Sequence, residues 1–206
     1  MKFLAWTAGI LVTALVMREG FIAIGPRRKR RQTLYAEAVA RAHATQKPLI
    51  VFGAPTQKFV QAVTHDYGCG DLCIDLYGCP GCTSFIAGRP EEVLPRLGTA
   101  SAVVFVSDAL ERVDDIEGVV RELQRISGGD LYVSHTDPTT LAAWAWPGSH
   151  YRILQAPPTA TTFAYKPLPW KGNTALRLVE LPHVALPGAS TIDPTGTIPT
   201  TGESMP

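Results

Sequence analysis

One stretch of the sequence, residues 101–135, has the pattern of a strand, a helix and a second strand. An apolar run at 102–106 ends in the polar pair Ser107-Asp108. Apolar residues then recur at helical spacing, and Gly128-Gly129 ends that helix before a short apolar run at 131–134. Because a helix that joins two strands in this way usually makes a right-handed crossover between parallel strands, the stretch predicts an α/β fold with a mostly parallel sheet.

The same stretch resembles the type-11 group of class I S-adenosylmethionine-dependent methyltransferases. The similarity covers the family's fourth strand, the turn after it, and the end of the next helix, at residues 103–106, 109–114 and 122–129. Weaker similarity extends to its first strand, its second strand and the loop before the fourth, at residues 48–53, 73–76 and 87–95. The resemblance covers about residues 45–157 and implies a Rossmann-like, methyltransferase-type sheet.

The resemblance also implies where a cofactor would bind. Asp75 matches the family's ribose-binding carboxylate, and Gly53 lies where the family has its glycine-rich turn. That turn continues here with Ala54-Pro55, Gly88-Arg89 replaces the family's usual Gly-Asp, and Arg112 replaces its common histidine. The resemblance therefore implies an eroded cofactor site. We expect no catalytic residue and no bound cofactor, with S-adenosylmethionine at Gly53 and Asp75 as the alternative.

An apolar N-terminal segment predicts a transmembrane anchor. As one helix, residues 3–25 would reach roughly 34 Å at ~1.5 Å per residue, and a bilayer's hydrocarbon core is ~30 Å thick. A cleaved signal peptide is the alternative, but the basic residues directly downstream oppose translocation. The predicted anchoring residues are Phe3, Leu4, Trp6, Ile10, Leu11, Leu15 and Val16.

A block of five basic residues follows the apolar segment and predicts topology and lipid contact. By the positive-inside rule it stays in the cytoplasm, so we expect a single-pass protein of the inner (cytoplasmic) membrane. The N-terminus would lie outside and the domain in the cytoplasm. Each charge near anionic headgroups contributes on the order of 1 kcal/mol of attraction. The block consists of Arg27, Arg28, Lys29, Arg30 and Arg31.

Two further observations concern charge. Glu19, near the predicted cytoplasmic end of the span, either pairs with Arg18 at the interface or contacts a second transmembrane helix. The net charge of the chain is only +1, which gives no indication of a nucleic-acid partner.

The four cysteines, Cys69, Cys73, Cys79 and Cys82, are clustered. In a cytoplasmic domain such clustering favours metal over disulfide, and Cys79 and Cys82 have the two-residue gap of a zinc knuckle. The other pair, Cys69 and Cys73, fits a zinc site poorly because Cys73 lies inside a predicted strand, where a small buried residue is normal. We favour buried thiols, with the four cysteines as metal candidates and a Cys79–Cys82 redox pair as the alternatives.

His135 is the histidine with the most informative position. It follows the second strand of the 101–135 stretch and therefore lies at the carboxyl edge, where doubly wound sheets bind ligands. It could form an acid–base pair with Asp137, but a strand-end histidine capped by a neighbouring carboxylate is the preferred interpretation.

The C-terminal part of the chain is rich in proline, with nine of the 17 prolines from Pro157 onward. Because proline fixes φ and donates no hydrogen bond, residues 158–206 are predicted to form an extended arm around the domain or a partner subunit, with one short strand at 176–181. The predicted regions are a transmembrane anchor (1–26), a basic juxtamembrane segment with a helix (27–44), a methyltransferase-like α/β domain (45–157) and the arm (158–206).

Together these features predict a membrane-anchored, non-catalytic, methyltransferase-like accessory subunit of a larger membrane protein complex, respiratory or photosynthetic. Its partners would be other membrane subunits, contacted through the helix, the domain and the arm, and anionic lipid headgroups. The first alternative is an active methyltransferase that uses S-adenosylmethionine at the membrane surface. The second is a metal or redox module built on the cysteines.

Overall fold

The computed structural model describes residues 2–24, 26–53, 68–145 and 148–181. Its helices are α1 (Lys2–Ile24), α2 (Pro26–Thr45), α3 (Pro90–Val93), α4 (Ile116–Ser127) and α5 (Leu141–Ala145). Its strands are β1 (Leu49–Phe52), β2 (Leu72–Asp75), β3 (Phe85–Ala87), β4 (Val103–Ser107), β5 (Leu131–Ser134), β6 (Tyr151–Gln155), β7 (Thr162–Pro167) and β8 (Arg177–Glu180).

The main sheet has five strands in the order β3-β2-β1-β4-β5, and every neighbouring pair is parallel. All residues of β1 and β4 are buried, as expected for central strands covered on both faces. The predicted α/β, Rossmann-like sheet is thus confirmed. In this order the chain reverses direction across the sheet between β1 and β4.

Helix α4 forms where the periodicity predicts it. Asp115 caps its first turn by accepting a hydrogen bond from the Gly118 N–H at 3.0 Å, and Gly128 ends it in the left-handed conformation at φ 60°. The side chains at the predicted spacing are all buried against the sheet: Ile116, Val119, Val120, Leu123 and Ile126. Local pattern and capping therefore suffice to specify this element.

Helix α2 covers the opposite face of the sheet. Leu34, Ala38 and Ala42 pack with Val51 and Phe105 in a second buried cluster. The helix predicted just before β1 is therefore present, and it also includes the basic block at its N-terminal end.

A second sheet contains the strands that follow α5. It is antiparallel, in the order β6-β7-β8. The short strand predicted at 176–181 is present as β8, whereas β7 is a second strand within the stretch predicted to be an extended arm. Phe163 and Tyr165 of β7 are buried in the same core as α4, so the proline-rich chain up to residue 181 is part of the folded domain. The rest of the predicted arm, residues 182–206, lies outside the described residues.

Helix α1 exposes its apolar side chains. Among the residues whose side chains are described, the exposed ones are Trp6, Ile10, Leu11, Val12, Leu15, Val16 and Met17. The side chains of Phe3 and Leu4, also predicted to anchor the chain, lie outside the described part. Within the described residues no helix combines the length and the apolar character needed to cross a membrane, so the predicted span is not supported.

Candidate functional site

The carboxyl ends of the parallel strands bring the predicted ligand-binding positions to one edge of the sheet. Gly53 follows β1, Asp75 ends β2 and Gly88 follows β3. Ser107 ends β4, and His135 follows β5. Because doubly wound sheets bind ligands at this edge, next to the reversal in strand order, it is the candidate functional site.

Gly53 and Asp75 lie on the β1–β2 side of the site. Gly53 has φ 98°, and a Cβ there would be 2.6 Å from the Ser107 carbonyl oxygen, so only glycine fits where β1 and β4 approach. The Asp75 carboxylate accepts a hydrogen bond from the Tyr77 N–H at 3.0 Å, and the backbone carbonyl of Asp75 accepts one from the Gly88 N–H at 3.2 Å. These contacts stabilise the local turn. A cofactor role for Gly53 and Asp75 stays a prediction, and residues 54–67 lie outside the described residues.

On the β4–β5 side, a group of polar side chains surrounds Asp108. The Asp108 carboxylate accepts hydrogen bonds from Arg27 at 2.8 Å, from Arg31 at 3.3 Å and from the Ser134 hydroxyl at 2.8 Å. Arg31 also contacts the Ser107 hydroxyl. We call this group, with its neighbours, the edge cluster: Arg27, Arg30, Arg31, Ser107, Asp108, Glu111, Ser134, His135 and Thr136.

The charges of the edge cluster are strongly coupled. Burial alone would raise the pKa of Asp108, but Arg31, Arg27 and the Ser134 hydrogen bond outweigh it, and the pKa of Asp108 is lowered. Burial in turn lowers the pKa of Arg31, and the Asp108 charge opposes that shift. Asp108 therefore stays ionised because two arginines from α2 compensate its loss of hydration.

Glu111 is the second carboxyl group of the edge cluster, and it is almost fully buried. Its Oε1 accepts a hydrogen bond from the Thr136 N–H at 2.7 Å, whereas Oε2 has no hydrogen-bond partner among the described residues. Burial, followed by the nearby Asp108 charge, raises the pKa of Glu111. Two neighbouring carboxyl groups thus have pKa values shifted in opposite directions.

The tautomer of His135 follows from its partners. Arg30 can only donate, so Nε2 accepts its hydrogen bond at 3.1 Å, and Nδ1 donates to the Thr136 carbonyl at 3.0 Å. Burial is the main reason that the pKa of His135 is lowered. The expected partner Asp137 instead accepts hydrogen bonds from Thr139. His135 is therefore a neutral, structurally bonded imidazole rather than half of an acid–base pair.

The raised pKa of Glu111 predicts a pH-dependent stability. The folded state binds the Glu111 proton more tightly than the unfolded state, whose pKa is about 4.3. The resulting stabilisation is complete below that value and is lost as pH rises through the folded pKa. We therefore expect the free energy of unfolding of the wild type, relative to Glu111→Gln, to increase as pH falls from 7 toward about 4.5. Urea unfolding at several pH values measures this difference, and a constant difference would contradict the assignment.

The basic block does not act only as a lipid-facing patch. Arg27 and Arg31 bind Asp108, and Arg30 binds His135, so these three residues contact the sheet edge. Lys29 is exposed, and the side chain of Arg28 lies outside the described part. Sequence reasoning missed this contact. The available signal was the helical character of residues 33–45, which extends back through the basic block and places it beside the sheet.

Glu19 contacts the α/β domain. Its Oε2 accepts a hydrogen bond from the Leu141 N–H at 2.9 Å, at the start of α5, and its Oε1 pairs with Arg18 at 2.9 Å. The predicted pair with Arg18 is thus present. Contact of Glu19 with a second transmembrane helix stays a prediction.

The cysteines form two disulfides that join residues before and within β2 to the turn after it. Cys69 is bonded to Cys82, and Cys73 to Cys79, which leaves no free cysteine among the described residues. The expected buried thiols and the Cys79–Cys82 redox pair are therefore not what the structure contains. The expected burial is correct for Cys73 and Cys79.

Comparison of the chain with protein-family models, with curated proteins and with solved structures finds no match.

Proposed function

We propose that this chain is a non-catalytic, methyltransferase-like subunit of a larger membrane protein complex, held at the membrane by α1. In this proposal α1 inserts into lipid, the α/β domain lies in the cytoplasm, and Arg18 and Glu19 join α1 to the domain. Other membrane subunits, of a respiratory or photosynthetic assembly, and anionic headgroups are the proposed partners. No cofactor is needed for this role.

The observation that carries the proposal is the occupation of the sheet's carboxyl edge by the chain's own arginines. This is the edge at which sheets of this type bind ligands. Arg27 and Arg31 neutralise Asp108, and Arg30 binds His135, so the first charged group after β4 and the histidine after β5 already have partners. A reacting substrate would have to displace a buried set of ion pairs, which favours a structural role for this part of the edge.

The surface of α1 supports attachment to lipid. Its exposed apolar side chains, such as Trp6, Leu11, Val12 and Leu15, point in different directions around the helix axis at 100° per residue. Moving such exposed apolar side chains out of water into lipid is favourable. At its C-terminal end, Glu19 and Arg18 contact the α5 region, which joins the helix to the domain.

An active methyltransferase is the second candidate, and one observation favours it. Gly53, Asp75 and Gly88 lie at the carboxyl ends of β1, β2 and β3, where the Gly53 N–H donates to the Ile74 carbonyl at 2.8 Å and the Gly88 N–H to the Asp75 carbonyl at 3.2 Å. This is the arrangement that the family resemblance implies for a nucleoside-binding side. The same side is bordered by the disulfide between Cys73 and Cys79.

Flotation of the full-length chain with lipid vesicles tests the proposed attachment. We expect the wild type to float with vesicles and the variant Ile10→Ser/Leu11→Ser/Val12→Ser to remain in the soluble fraction, because burial of these side chains contributes about 1.5–3 kcal/mol each. The matched control is Leu176→Ser/Leu178→Ser, which changes exposed leucines of the second sheet and should float like the wild type. Equal flotation of all three proteins would contradict the proposal.

The same vesicle-bound protein, titrated calorimetrically with S-adenosylmethionine, separates the two candidates. A non-catalytic subunit should give no binding heat. Micromolar affinity corresponds to about 8 kcal/mol of binding free energy. Such an affinity in the wild type, lost in Asp75→Ala, would favour the active methyltransferase instead.

A further inference from the structure

The cysteine-rich segment after residue 68 brings four sulfur atoms together. The Sγ atoms of Cys73, Cys79 and Cys82 lie within 4.8 Å of one another, and the Sγ atom of Cys69 is bonded to that of Cys82. Tetrahedral zinc binds thiolates at about 2.3 Å, which requires sulfur atoms just under 4 Å apart. The sulfurs therefore need only small movements to surround one ion once the S–S bonds are broken.

We propose that reduction of the two disulfides converts this segment into a four-thiolate site for a soft divalent cation, with zinc as the expected ion. Its ligands are Cys69, Cys73, Cys79 and Cys82. The proposal goes beyond membrane attachment and does not depend on it.

Two rigid elements hold ligands in place on the backbone. Cys73 is fixed in β2, where it is paired with Val51 of β1 and its N–H donates to the Ser84 carbonyl at 3.1 Å. Cys79 and Cys82 lie on a tight turn in which the Cys82 N–H donates to the Cys79 carbonyl at 3.1 Å, with Gly81 at φ 85°. Such a turn is the usual backbone of a two-residue zinc knuckle.

The spacing of the cysteines in the sequence argued against a zinc site, and the tertiary structure removes that objection. A cysteine inside a strand fits poorly into a zinc knuckle when only the sequence is considered. Here the chain turns back directly after β2, so that the sulfur of Cys73 faces those of Cys79 and Cys82. Soft thiolate ligands without carboxylates favour zinc over calcium, magnesium or manganese.

The conversion balances in electrons and protons. Each disulfide accepts two electrons and two protons and yields two thiols. A dithiol supplies both the electrons and the protons and becomes a disulfide, whereas a phosphine supplies the electrons and becomes a phosphine oxide with the oxygen of a water molecule, whose two protons go to the thiols. Zinc then replaces the four thiol protons, which go to solvent, and binds four thiolates. The redox state of the compartment determines whether the disulfide form or the reduced form is present, because oxidising compartments keep disulfides and a reducing cytoplasm keeps thiols.

The test uses the full-length chain, reduced with a phosphine, freed of reductant under nitrogen and titrated with Co²⁺ and then Zn²⁺. We expect thiolate-to-cobalt charge-transfer bands and tetrahedral d–d bands that saturate at one ion per chain and disappear when zinc displaces cobalt. The oxidised chain should show neither set of bands. Cys79→Ser should bind at least ~10–100-fold more weakly, the loss that even outer-shell changes cause. Tyr77→Ser, a change at a 90% exposed side chain between Cys73 and Cys79, should bind like the wild type.

Alkylation gives a second measurement that needs no substitution. Zinc should protect all four cysteines of the reduced wild type from iodoacetamide, as read by mass spectrometry, and a chelator should restore their reaction. The proposal is overturned if the reduced chain binds no cobalt, if Cys79→Ser, folded by circular dichroism, binds as tightly as the wild type, or if zinc leaves the thiols unprotected.

Discussion

Asp108→Asn is expected to lower the free energy of unfolding at pH 7 by about 3 kcal/mol, the lower end of the usual cost of removing one partner from a buried ion pair. The Asp108 side chain is 10% exposed and that of Arg31 is 17% exposed, so the arginine would be left without its compensating charge in a poorly hydrated site. The loss of Asp108 also weakens the attachment of α2 to the sheet edge.

Two measurements check this prediction. Urea denaturation gives the change in stability, and limited trypsin digestion reports access to the basic block, which should be cut faster in Asp108→Asn. The matched control is Asp114→Asn. The Asp114 side chain is 65% exposed, and its ion pairs with Arg89 and Lys171 are 3.8 Å long, so a change below about 1 kcal/mol is expected. Equal losses in the two variants would contradict the coupling assigned to Asp108.

The pH dependence of Asp108 runs opposite to that of Glu111. Its folded pKa lies below its unfolded value of about 3.9, so its stabilising contribution is present above that value and is lost as pH falls through the folded pKa. The difference between wild type and Asp108→Asn should therefore be full at pH 7 and shrink below about pH 4. In an Arg27→Met/Arg31→Met background the same substitution should cost much less, because contacting residues are not additive.

Phe163→Ala is expected to lower the free energy of unfolding by about 3–5 kcal/mol, the usual cost of removing a buried phenylalanine side chain. Phe163 is 0% exposed and lies in the core formed by the main sheet and α4. An arm lying loosely on the domain, or ordered only by a partner subunit, would predict almost no change in the isolated chain. Thermal and urea denaturation of the purified protein distinguish these cases.

The matched control for Phe163 is Leu178→Ala, on the neighbouring strand of the same sheet. Leu178 is 62% exposed and lies opposite Ala164 of β7, so its truncation should change stability by no more than about 0.5 kcal/mol. If Phe163→Ala has an equally small effect, β7 is not part of the cooperative core.

The strand–helix–strand unit was predictable because its information is local. The spacing of Val119, Val120 and Leu123 defines a buried helical face, and Asp115 and Gly128 mark its two ends. The strands before and after it carry continuous apolar runs typical of a buried parallel sheet. Each of these signals lies within a few residues of the structure that it specifies.

The second sheet was harder to predict because prolines obscured its pattern. Proline at the end of β7, Pro167, leaves the preceding alternation intact, so Phe163 and Tyr165 still reach the core. A count of prolines over all the C-terminal residues does not reveal this alternation. Only pairing with β6 and β8, which depends on the whole fold, distinguishes a strand from an extended arm.

By itself, the sequence determined the α/β class, the parallel crossover around α4, the helix before β1 and the positions that meet at the carboxyl edge, because periodicity, capping and strand ends are local properties. Tertiary structure alone decided that Arg27 and Arg31 bind Asp108, 81 and 77 residues away, and which cysteines pair. Four cysteines allow three pairings, and a basic block suits lipid and carboxylate equally well. In both cases the residue types permit several partners, and only the packing of α2 against the sheet and the turn of the chain after β2 select one.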